Sequence, residues 1–199
     1  MTLRYGLIGA GMMGREHVRN LALVPGAVVT AISDPDEASR NETIATVHNA
    51  MVHSVMGQAP VAFKNHQQLL EKGEVDALVI ASPNDTHKNI LADIFQARRA
   101  LPVLIEKPIC TSAKDCVWLA EKGSLHKAPI WVAMEYRYMP PVQELMAEIA
   151  KGTVGTLKML SIREHRFPFL HKVGDWNRFP VARGARWLKN AAISLISCA

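Results

Sequence analysis

The chain lacks several things, and each absence narrows its class. No stretch approaches the roughly 18 consecutive apolar residues that a membrane-crossing helix needs, so no such helix is expected. Cysteine is scarce: Cys110, Cys116 and Cys198 form an odd, widely spaced set that cannot build a disulfide framework and suits a reducing compartment. The opening segment, Met1 to Gly14, is apolar but short of a secretory leader, with no basic n-region, h-region and small-residue cleavage site. No internal repeat and no low-complexity tract interrupts the chain. The expectation is a soluble, cytoplasmic protein with no membrane partner.

What is there is ordinary globular composition. Of 199 residues, 49% are hydrophobic and 21% charged, which excludes disordered, collagen-like and coiled-coil classes. The net charge of +5 invites a nucleic-acid reading. The basic residues are dispersed, however, and no basic-aromatic groove pattern accompanies them, so no nucleic-acid partner is expected. Part of that charge is also local: Arg183, Arg186 and Lys189 fall within residues 180–199, which hold no acid.

Apolar runs alternate with helical spacing from the first residues. Leu3 to Ile8, Ala27 to Ile32, Val61 to Phe63, Ala77 to Ala81, Val103 to Ile105 and Ile130 to Met134 read as strands. Between them, helices are expected over Met12 to Val24, about Asp36 to His53, Asn65 to Lys72, Thr86 to Arg98 and Ser112 to about Lys122, with Asn65 and Ser112 as caps. Continuous apolar strands separated by helices predict a parallel sheet covered on both faces. After Tyr136 the rhythm changes. A helix is expected from about Pro141 to Ala150, then a half-exposed strand from Thr156 to Arg166. A domain boundary falls near Met134.

Gly9-Ala10-Gly11-Met12-Met13-Gly14 is G-x-G-x-x-G, set between an expected strand and an expected helix. Gly9 permits the tight turn, Gly11 lets backbone approach a pyrophosphate, and Gly14 lets the helix pack on the sheet. The helix start then offers N–H groups and a positive dipole to phosphate. Asp34 ends the next strand, where a carboxylate accepts from a ribose 2′-hydroxyl and repels a 2′-phosphate. This favours NAD over NADP. Three further strand ends carry polar groups: Ser82-Pro83-Asn84 with His87, Glu106-Lys107-Pro108, and Glu135-Tyr136-Arg137. Ligands of open parallel sheets bind beyond such ends.

These elements, with Tyr136-Arg137-Tyr138, make the chain resemble the Gfo/Idh/MocA family of nicotinamide-dependent oxidoreductases over about residues 3 to 179. Arg163 to Arg166 and Lys172 to Phe179 look like its inositol-dehydrogenase-like branch. The resemblance implies an α/β fold, a Rossmann doubly wound sheet followed by an incomplete α+β domain with an open antiparallel sheet. It also implies hydride transfer from a sugar or polyol carbinol to NAD. On this reading Lys107 is catalytic, touching the reacting hydroxyl and the ribose, where its charge stabilises developing alkoxide. Gly9, Gly11, Met12, Met13, Gly14, Asp34, Ser82, Asn84, His87, Glu106 and Lys107 contact cofactor. Arg137 faces substrate or cofactor, and Pro108 follows a cis peptide. No metal is implied.

The chain departs from that pattern beyond Phe179. The family's proton-accepting histidine, in [D/E]-x-x-x-H-x-x-D, is absent there, and His165 and His171 have no aspartate three residues on. A permitted set of codons for Ala185 to Cys198, read one base earlier, spells G-T-L-V-E-K-C-C-H-F-F-D-L-M, which contains that motif. The expectation is therefore residues 1–134 as an NAD-binding domain, 135–179 as the start of a substrate and oligomerisation domain, and 180–199 as an out-of-frame tail. Full-length family members form homo-oligomers; a chain truncated in this way is a doubtful one. Either an impaired dehydrogenase or a non-catalytic NAD-binding fragment fits that organisation.

Overall fold

The computed structural model describes residues 2–50, 59–163 and 172–178. Its strands are β1 (Leu3–Ile8), β2 (Ala27–Ser33), β3 (Val61–Phe63), β4 (Ala77–Ile80), β5 (Val103–Glu106) and β6 (Ile130–Ala133). Its helices are α1 (Met12–Ala22), α2 (Glu37–Ala50), α3 (His66–Lys72), α4 (His87–Gln96), α5 (Ala113–Gly123) and α6 (Pro140–Ala150). The strands form one sheet in the order β3-β2-β1-β4-β5-β6, and every pairing is parallel. Two strands run outward from β1 on one side and two from β4 on the other, the doubly wound arrangement.

Local chemistry sets the element ends. Asn65 accepts from the Gln68 N–H at 2.9 Å and starts α3. The Ser112 hydroxyl accepts from the Asp115 N–H at 3.1 Å and donates to its carboxylate at 2.6 Å, a reciprocal cap on α5. Helix α4 begins at His87, one residue later than the spacing predicts, because Asn84–Thr86 winds into a 3-10 turn. Thr86 closes that turn by donating both its N–H and its hydroxyl to the Pro83 carbonyl.

The core lies on both faces of the sheet. Leu69, Leu78, Ile80, Leu91, Ile94 and Ile105 pack in one cluster, and Leu7, Val18, Ile32, Val47 and Val79 in another. Ile105 is fully buried, so Ile105→Ala should remove about 2–5 kcal/mol of unfolding free energy. Urea denaturation checks this: the midpoint should fall with an unchanged slope.

The expected strand from Thr156 to Arg166 is not formed over its described part. Residues 157–163 carry no ladder, and Leu157, Met159 and Ile162 stand exposed. Alternation alone makes no strand without a partner to take its N–H and C=O groups. No antiparallel pair occurs among the described residues, so of the second domain, implied to be incomplete, they hold α6 and no sheet. Beyond α6 the described residues hold turns, with Gly152 and Gly155 at positive φ, and a 3-10 segment, Val173–Arg178. Residues 51–53 of the expected second helix, residues 164–166 of the strand, His165, His171 and the tail 180–199 lie outside the described residues. No described helix is long and apolar enough to cross a membrane.

Candidate functional site

All six strands point the same way, so their carboxyl ends share one rim. The chain winds in opposite directions from β1 and β4, which are neighbours, and this opens a crevice between the loops that follow them. The glycine turn lies there. Gly9 has φ 97°, and a Cβ on it would stand 2.4 Å from the Ser82 nitrogen. Only glycine lets the end of β1 lie against the end of β4. A Cβ on Gly14 would stand 2.2 Å from the Gly9 carbonyl oxygen. At Gly11, by contrast, a Cβ meets nothing within 4 Å. That position faces open space at the start of α1, where Met12 and Met13 follow half-buried. No side chain caps this end, and its first turn holds no acid. The positive end of the helix is therefore open to an anion.

Asp34 is built into this turn. One carboxylate oxygen accepts from the Ala10 N–H at 2.8 Å and the other from the Asp36 N–H at 2.9 Å. Helix α2 braces the assembly. The Arg40 guanidinium, nearly buried, donates to the Asp34 and Pro35 carbonyls at 2.6 and 3.1 Å, and Thr43 donates to the Ala10 carbonyl at 2.8 Å.

The ends of β4, β5 and β6 complete the rim. Ser82 and Thr86 hydroxyls meet at 2.7 Å, and Asn84 is buried. The Lys107–Pro108 peptide is cis. The Lys107 ammonium lies 2.7 Å from Glu135 and 5.6 Å from the Tyr136 ring centre. Arg137 is exposed on the turn Glu135–Tyr138. Glu106 is largely buried and receives His17, from α1, at 2.9 Å.

His87 departs from its expected place lining the cleft. It is fully buried, with Nδ1 2.9 Å from the Pro108 carbonyl and Nε2 3.1 Å from the Ser82 carbonyl. It therefore ties two loops together and acts on the cleft only through them. Burial holds its pKa below the usual 6.5, against the pull of those two carbonyls. The unfolded chain thus binds a proton here that the fold resists. Stability from this group is present above about pH 6.5 and is lost as pH falls toward the lower folded value. Denaturation midpoints should drop on acidification through that window, and His87→Gln should flatten that part of the profile.

Spacing in the chain did not reveal His17, Arg40 or Thr43. Arg40 and Thr43 sit on a helix of weak amphipathic pattern, and His17 is 89 residues from Glu106. Among the described residues no cluster of His, Cys, Asp and Glu is arranged to hold a metal.

Fold and site together define a dinucleotide-binding α/β protein. The chain belongs to the Gfo/Idh/MocA oxidoreductase family, with an NAD-binding Rossmann fold, whose profile matches residues 3–134. It is 32% identical over 158 residues to the rhizopine catabolism protein MocA of Rhizobium meliloti, covering 79% of this chain and 45% of that protein. With the inositol 2-dehydrogenase of Acidothermus cellulolyticus it shares 34% over 170 residues, 84% of this chain and 46% of that one. The myo-inositol dehydrogenase of Lactobacillus casei, solved with NAD(H) and myo-inositol, superposes with a TM-score of 0.67 at 22% identity, covering 78% of this chain and 43% of its own. The chain thus spans a little under half the length of these relatives.

Proposed function

We propose that this chain binds NAD across the β1/β4 crevice and supplies the cofactor half of a dehydrogenase for inositol-like polyols or sugars. The observation that carries this is the glycine turn, closed to any side chain at Gly9 and Gly14 and open at Gly11. That is the cradle a pyrophosphate needs at a helix start. Gly11, Met12, Met13 and Gly14 would take the phosphates, and Asp34 the adenosine ribose. The Asp34 carboxylate already serves two N–H groups and retains lone pairs for hydroxyls, while its charge opposes a 2′-phosphate. This favours NAD.

Ser82, Asn84, Glu106 and Lys107 would border the nicotinamide side. A bound nicotinamide supplies the hydride acceptor. Lys107 places its ammonium at that rim, 2.7 Å from Glu135, where it would stabilise the alkoxide left when water or a base takes the carbinol's hydroxyl proton and its carbon gives hydride to the nicotinamide. Arg137 would meet the substrate's hydroxyls. The polyol class is supported by the inositol dehydrogenases among the relatives. Residues 1–134 are read as the cofactor domain, in keeping with the profile match, and 135–179 as the start of a second domain.

Titrating the chain with NADH while following tryptophan fluorescence tests cofactor binding, and NADH formation from inositol and aldoses tests turnover. Saturable binding is the expected result, with turnover weak at most, since the family's proton-accepting histidine pattern is absent from the chain. Binding without turnover reduces the chain to an NAD-holding module, and no binding overturns the reading.

A further inference from the structure

We propose that His17 is a positioning residue for the nicotinamide end of the site, an inference that rests on the NAD-binding reading above. His17 lies on α1, the helix whose start forms the glycine cradle, yet its side chain leaves that half of the site. Its Nε2 reaches the Glu106 carboxylate at 2.9 Å, at the carboxyl end of β5. Strand β4 lies between β1 and β5, so this contact bridges the two halves of the doubly wound sheet.

Both partners are largely shielded, with side chains 16% and 12% exposed. A shielded carboxylate depends on its donors more than a surface one. Glu106 has a second: its other oxygen accepts the Lys107 N–H at 3.3 Å. The Lys107 ammonium in turn holds Glu135 at 2.7 Å. A continuous chain of contacts thus runs from α1 through Glu106 and the Lys107 backbone to the turn after β6. The glycine cradle has separate supports, through the Asp34 carboxylate and Thr43 on the Ala10 backbone. Removing the His17 donor leaves Glu106 held only through the Lys107 N–H and so loosens the placement of Lys107, while the cradle keeps all of its own bonds.

The consequence is selective. ADP-ribose reports the cradle and the Asp34 end, whereas NADH reports those plus the nicotinamide end. Calorimetric titration of the full 199-residue chain with each ligand separates them. His17→Ala should weaken NADH about tenfold and leave ADP-ribose within about twofold. His17→Gln, whose amide N–H can still reach a carboxylate, should restore most of the loss. If alanine unfolds the chain, His17→Leu keeps bulk, removes the donor and reads the same ratio. Equal weakening of both ligands, or no change in either, overturns the proposal. Wild-type chain that binds neither ligand overturns the NAD reading itself, a distinguishable result.

Discussion

Gly14→Ala should destabilise the protein and Gly11→Ala should not, although both lie in one six-residue motif. A Cβ at position 14 would come within 2.2 Å of the Gly9 carbonyl oxygen, where no flexible side chain can yield. Alanine at a helical position recovers at most about 1 kcal/mol of propensity. Forcing backbone apart in a packed turn costs about 1–3 kcal/mol or more, so the expected net loss is about 1–2 kcal/mol. The shift also distorts the turn, and NADH affinity should fall more than tenfold. Gly11 sits at the helix N-cap with φ −74°, a conformation alanine adopts, and its new methyl meets nothing within 4 Å. Unfolding free energy should change by less than about 1 kcal/mol, while the methyl occupies the space proposed for the pyrophosphate and NADH affinity falls more than tenfold. Denaturation and NADH titration of both variants check this. Equal stability losses would contradict the packing argument, and unimpaired binding in Gly11→Ala would remove the cradle from the site.

Asp34→Ala carries the second large effect, through two routes. The carboxylate accepts from the Ala10 and Asp36 N–H groups, and hydrogen bonds to a charged group contribute about 1.5–3 kcal/mol each before relaxation and water replace part of them. A stability loss of about 2 kcal/mol is expected. The ribose acceptor goes as well, so NADH should bind about 10–100-fold more weakly, while NADPH, no longer facing a carboxylate, should bind better relative to NADH. Asp34→Asn should recover only part of the stability. Its single carbonyl can serve one of the two N–H groups, and its amide presents a donor to the other. Paired titrations with NADH and NADPH check the selectivity; an unchanged ratio would exclude Asp34 from the ribose site.

Much of this architecture could be read from local pattern. The apolar runs at 3–8, 27–33, 77–80 and 103–106 are strands because continuous Val, Ile, Leu and Ala suit a sheet buried on both faces. Asn65 and Ser112 start helices because their side chains satisfy free N–H groups nearby. Over residues 157–163 alternation has the right period, but among the described residues no neighbouring strand completes it. Nothing in spacing distinguishes a histidine facing a ligand from one enclosed between two carbonyls, as His87 is.

The sequence by itself determined the alternation of strands and helices, the glycine turn and the acid after β2, because each depends on residues close together in the chain. Which polar groups meet was decided by tertiary structure alone. Lys107 pairs with Glu135, His17 with Glu106, and His87 with the ends of two loops. Those partners come together only because the crossover helices bring β4, β5 and β6 side by side, gathering their carboxyl ends on one rim. Strand order sets that geometry, and strand order arises from how all the apolar faces are buried at once rather than from any one segment.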